Sequence, residues 1–107
     1  VLMINPGDTV KWLATNPGHN AASIDEMLPA GANSWNGSIN EEIVVKFDKE
    51  GVYGYKCTPH YILGMAGFII VGDPSGNLSD VKAAAENAES KFAMNKTRLT
   101  DYLSQVK

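Results

Sequence analysis

One cysteine, Cys57, occurs in 107 residues, so no internal disulfide can form and cysteine pairing says nothing about compartment. That thiol must be buried, reactive or bound to a metal. Long apolar runs are missing as well: no stretch approaches the ~20 residues that a membrane-spanning helix needs, so no membrane insertion is expected. The beginning, VLMINPGD, lacks the basic start, apolar stretch and small-residue cleavage site of a secretory leader, although a mature exported protein reads the same way. Positive charge is scarce. The formal net charge is −3, and residues 1–78 hold four Lys against eight Asp or Glu, which argues against a nucleic-acid partner. No repeat, low-complexity tract or linker divides the chain.

What is present fits one globular domain over residues 1–107, with 44% apolar residues, 20% charged residues, ten Gly and five Pro. Residues 1–4 form a short apolar run that ends at Asn5-Pro6-Gly7-Asp8, where Pro pre-sets φ and Gly accepts a positive one. Residues 9–14 (TVKWLA), 43–47 (IVVKF), 52–57 (VYGYKC) and 67–71 (GFIIV) read as strands from their β-branched and aromatic content. The pair 43–47 and 52–57, joined by Asp48-Lys49-Glu50-Gly51, predicts a hairpin; GFIIV predicts a central strand buried on both faces. Residues 21–36 predict a long excursion with at most one helical turn over 24–28, cut short by Pro29 and Gly31.

From Leu78 the character changes to an Ala-rich helix without Gly or Pro, with Asn77 and Ser79 as cap candidates. Leu99, Tyr102, Leu103 and Val106 recur at helical spacing and predict a second helix after a break within 92–95. Strands first and helices last predict a β-sandwich over 1–78 with a helical appendix over 79–107 lying on a sheet surface.

Between the last two strands stands KCTPHYILGMAG, which places Cys57, His60 and Met65 in a Cys-x₂-His-x₄-Met spacing. A soft cation that cycles between two oxidation states wants thiolate, thioether and imidazole together, and two His, one Cys and a weak axial Met make a blue-copper electron-transfer site. The chain has only two histidines, so the remaining imidazole must be His19, in the turn Pro17-Gly18-His19-Asn20. Taken singly, each residue has a plainer reading: an inert buried thiol, a surface histidine, a core methionine. Their convergence at one strand-end loop favours the metal. A thiol enzyme using Cys57 and His60 would leave Met65 idle and lacks recognisable orienting and oxyanion groups. Structural zinc does not call for a thioether. A copper carrier would need a labile, open site, whereas one Cys and one Met enclosed between strands favour retention. The loop flanks Pro17, Gly18, Ile62, Leu63 and Ala66, together with Pro59, are apolar and suit a small dry docking patch around the edge of His60. Pro59 has no N–H to donate to the Cys57 sulfur, which should keep the reduction potential low.

Gly18-His19-Asn20, Met27-Leu28-Pro29, Ser38-Ile39-Asn40-Glu41, Gly51-Val52-Tyr53, Lys56-Cys57-Thr58-Pro59-His60-Tyr61 and Gly64-Met65 together resemble the pseudoazurins, within the cupredoxins. The helix pair after the last strand is similar to pseudoazurins and not to plastocyanins. The resemblance implies a mainly β, cupredoxin-like Greek-key sandwich with two C-terminal helices and one type 1 copper ion per chain, on His19, Cys57, His60 and Met65. It implies no enzyme. It implies instead a periplasmic carrier passing single electrons to partners such as nitrite or nitrous oxide reductase, or exchanging them with a cytochrome c. By the same likeness Asn20 should tie the His19 turn to the cysteine loop. The family normally begins roughly twenty residues earlier, so its first strand is expected to be missing and neighbouring strands to show unpaired edges. Family members also ring the active face with lysines; here Lys56, Lys11 and Lys46 stand in plausible positions, while Pro17 and Asn36 occupy places where Lys is expected.

Overall fold

Alternation decides the smaller of two sheets in the computed structural model, which describes residues 1–13, 18–93 and 97–106, the side chains of Ile62 and Leu63 excepted. Strands β2 (Thr9–Trp12) and β4 (Ile43–Lys46) alternate exposed and half-buried residues. They pair antiparallel, from Thr9 opposite Lys46 to Trp12 opposite Ile43. One apolar face on each strand is what such a half-solvated pair requires.

The larger sheet has the order β1 (Leu2–Ile4), β6 (Ala66–Val71), β5 (Gly51–Lys56), β3 (Ala22–Ser23). Strand β1 runs parallel to β6, and the other neighbours are antiparallel. As the GFIIV run predicts, β6 is central and buried. The two-residue period explains why it is apolar without interruption. Ile69 and Val71, with Tyr53 of β5, face Phe47 and the smaller sheet; Phe68 and Ile70, with Val52, face the other way. Between the sheets, Trp12, Trp35, Phe47, Tyr53 and Tyr55 pack ring against ring, with Trp12 and Trp35 stacked at 5.7 Å.

Helices α1 (Leu78–Glu89) and α2 (Arg98–Leu103) cover the outer face of the larger sheet, making a third layer. Val81, Ala85, Phe92, Leu99, Leu103 and Val106 join Ile24, Met27, Val52, Phe68 and Ile70 in one buried cluster. Each fully buried Leu there contributes about 1.5–3 kcal/mol. The 3₁₀ turn Asp25–Met27, where a helical turn is expected, packs Met27 so closely on β5 that a Cβ at Gly54 would lie 2.8 Å from the Cβ of Met27.

Two expectations need correction. The hairpin does not form: β4 pairs with β2, while β5 pairs with β6 and β3. Strand β4 has one apolar face and β5 has two, so they belong to different layers, and residues 48–50 carry the chain across. Asn77 does not cap α1 with its side chain. Its amide instead accepts from Val52 N–H and donates to Val52 C=O, both at 2.8 Å, and holds the start of β5. Among the described residues β1 and β2 each have a neighbour on one side only. The turn at 16–17 and the helix break at 94–95 fall outside the described residues.

Removing the Asn77 amide strands a buried donor and a buried acceptor. Asn77→Ala is therefore expected to lower unfolding stability by about 2–4 kcal/mol in a urea titration, with little change in the denaturant slope.

Candidate metal centre

Strand β5 stops at Lys56, opposite Ala66 at the start of β6. Cys57 and Met65 are therefore the next pair across the two strand ends, and Cys57 N–H donates to Met65 C=O at 3.0 Å. The intervening residues Thr58–Leu63 coil into a 3₁₀ helix with Pro59 in its first turn. Gly64 ends it in the left-handed region (φ 82°), where a residue without Cβ costs least. Its N–H donates to Tyr61 C=O at 2.8 Å, and Met65 N–H donates to His60 C=O at 3.3 Å. This coiling brings His60 Nδ1 to 3.4 Å from Cys57 Sγ.

The second imidazole stands just ahead of β3, whose Ala22 pairs with Lys56 of β5. Asn40, in the left-handed conformation at φ 66°, clasps the turn: its side-chain oxygen accepts from Gly18 N–H at 2.6 Å, and its own N–H donates to His19 C=O at 3.0 Å. His19 Nδ1 then lies 3.5 Å from the same sulfur, with the two imidazole centroids 4.6 Å apart. Asn20 locks turn to loop. Its oxygen accepts from Thr58 N–H at 2.6 Å, and its amide nitrogen donates to Thr58 Oγ1 at 3.0 Å and Gly37 C=O at 2.9 Å.

The donor atoms of His19, Cys57 and His60 lie within 4.8 Å of one another. Both imidazoles present Nδ1 to one buried sulfur, a convergence that a metal needs and a nucleophile–base pair does not. Thiolate with two neutral imidazoles is a soft to borderline set that fits copper.

Met65 differs from the enclosed residue expected. It is 39% exposed, while Cys57 is 4% exposed. Met65 forms part of a cleft of about 290 Å³ with Cys57, His19, Trp12, Leu13 and Ala66. The cleft opens because the end of β2 and the start of β6 belong to different sheets, with no described strand between them.

Among the expected docking residues, Gly18 and Ala66 are half-buried; Pro17 and the side chains of Ile62 and Leu63 lie outside the described residues. Lys11 and Lys46 pair with carboxylates, Glu42 at 3.3 Å and Asp48 at 3.8 Å, so neither adds much net positive charge to the surface. Asn36 forms an isolated bridge with Ala22. Lys56 Nζ sits 5.2 Å from the Tyr61 ring centroid, and that ring packs edge-on against Phe92. Burial, with a smaller contribution from Glu26, pushes the Tyr61 phenol up to about 12, so it stays neutral.

Sequence reading missed Asn40, Thr58 and Arg98, whose Nη1 donates to Gly64 C=O at 3.1 Å. Asn40 carried a usable signal, since Asn is among the few residues besides Gly that enter the left-handed region readily. Thr58 and Arg98 carried none.

Residues 1–72 match the family model described as copper binding proteins, plastocyanin/azurin family. The chain is 46% identical over 87 residues to the pseudoazurin of Methylorubrum extorquens, an alignment spanning 81% of this chain and 59% of that protein. It is 42% identical over 90 residues to the pseudoazurin of Paracoccus pantotrophus, across 84% and 62% of the two. The chain thus spans about three fifths of the length of these relatives. The crystal structure of pseudoazurin from Methylobacterium extorquens AM1 superposes with a TM-score of 0.84 at 39% identity, covering 99% of this chain and 82% of that one. The likeness to pseudoazurins and the cupredoxin-like sandwich are both borne out.

Because Asn20 joins the two turns that supply the donors, its truncation should loosen the whole cluster. Asn20→Ala is expected to weaken metal binding by about 10- to 100-fold in competition with a chelator, the usual cost of losing a group that orients ligands.

Proposed function

The chain belongs to the plastocyanin/azurin family of copper binding proteins, and from that membership we propose that it carries single electrons on one type 1 copper ion held by His19, Cys57, His60 and, as the weak fourth ligand, Met65. The observation that carries this reading is the convergence of two Nδ1 atoms, 3.5 and 3.4 Å away, on the buried Cys57 sulfur. Copper, when bound, supplies a one-electron couple. The protein's part is to keep the donors in one place in both oxidation states, so that little reorganisation accompanies transfer. Asn20, Asn40 and the Cys57–Met65 backbone bond do this from the scaffold side. Pro59, with no N–H for the thiolate, leaves the electron density of the sulfur undivided and favours the oxidised ion.

Electrons would leave by the edge of His60, and a partner would dock on the surface around it, to which Gly18 and Ala66 contribute. The partners are redox proteins that dock briefly: nitrite or nitrous oxide reductase as acceptors, or a cytochrome c, in the periplasm. With Lys11 and Lys46 already paired, steering toward an acidic partner is weak.

A carrier that surrenders copper is the second reading, favoured by the exposure of Met65 beside an open cleft. One titration separates them. Adding Cu(II) to the purified protein should produce an intense visible thiolate-to-copper band that Cys57→Ser abolishes. For an electron carrier the band persists for hours against a chelator; rapid loss supports the carrier, and no band at all contradicts both.

A further inference from the structure

The ligand loop is restrained by the last helix as well as by the sandwich. Arg98, the only arginine in the chain, opens α2 and donates from Nη1 to Gly64 C=O, 34 residues earlier, at 3.1 Å. That carbonyl belongs to the peptide that enters Met65. The side chain of Met65 is too exposed for packing to hold it firmly, so its position depends on its backbone. Among the described residues three bonds hold that backbone: Met65 N–H to His60 C=O, Cys57 N–H to Met65 C=O, and Arg98 to Gly64 C=O. The first two lie within the loop and its strand ends; of the three, the third reaches Met65's backbone from a helix.

Arg98 is itself well aimed. Leu99 and Leu103 are buried against the sheet, which seats α2. The buried Glu89 carboxylate, at the end of α1, accepts from Thr100 N–H at 3.0 Å and Thr100 Oγ1 at 3.3 Å, fixing the first turn of α2. A guanidinium suits the task because it is always charged and its donors are held in a rigid plane.

We propose that Arg98 is a positioning residue for Met65: by holding the Gly64 carbonyl it sets how the thioether approaches the metal and couples the helical layer to the site. This rests on the copper reading above, so the test has one arm that needs no metal. In the metal-free protein, Arg98→Gln should speed amide hydrogen exchange at Cys57 and Met65 by ~10-fold or more while leaving Phe68, in mid-β6, unchanged. In the copper-loaded protein the same variant should change the relative intensities of the visible bands and release copper to a chelator ~10-fold faster. Arg98→Lys, which keeps a charged donor, should recover part of each effect, and it serves alone if Arg98→Gln does not fold. Val81→Ala removes buried packing in α1 and leaves the Glu89–Thr100 bonds and the Arg98 side chain in place; it should lower the melting temperature and alter neither exchange at Cys57 and Met65 nor the spectrum. Parent-like exchange and spectrum in both Arg98 variants would overturn the proposal, as would equal effects from Val81→Ala. Faster exchange at Cys57 and Met65 in a protein that never colours with copper would leave Arg98 as the loop's anchor and sink the copper reading instead.

Discussion

Everything in this molecule turns on a meeting of two turns that stand 38 residues apart along the chain, at His19 and Cys57. The Asn20 side chain makes that meeting specific. By accepting from the backbone of Thr58 and donating to its hydroxyl, it fixes the separation and orientation of the two turns with directional bonds that hydrophobic packing alone does not supply. Metal ligands recruited from one flexible loop would follow the ion's preferences; ligands clamped from two separate turns impose their own.

The sandwich exists, in functional terms, to deliver those turns. The antiparallel pairing of β5 with β6 places positions 57 and 65 opposite each other, and the 3₁₀ coil between them turns His60 inward. The His19 turn lies between β2 of the smaller sheet and β3 of the larger, and Asn40 holds it from the segment leading into β4. Between the layers lies a ring-on-ring aromatic core, with Trp12 and Tyr55 reaching up to the cleft beside the sulfur. The helices add the third layer, and with it the Arg98 contact on the loop.

Much of this was legible in the sequence because the relevant signals are local or exhaustive. GFIIV announced a doubly covered strand, and a chain with one cysteine and two histidines leaves little choice of donors. The hairpin error has a physical source: a short polar turn between two strand-like runs does not reveal whether the chain reverses within a sheet or crosses to the next. Only the burial of β5 on both faces, set against the alternation of β4, distinguishes the two. Asn77 was misread for a related reason. Its position before a helix suggested a cap, but its amide is better used on the two Val52 backbone groups, which lie buried. The openness around Met65 is not legible from its own loop, since it depends on which strands flank β2 and β6 in space.

The central claim is that the scaffold, and not the ion, sets the geometry at the sulfur. High-resolution structures of the metal-free, oxidised and reduced protein test it directly. The account predicts that the separations of His19 Nδ1 and His60 Nδ1 from Cys57 Sγ stay near 3.5 and 3.4 Å in all three, moving by no more than about 0.5 Å. A metal-free state in which the His19 turn swings away from the cysteine loop and returns only with copper would contradict it.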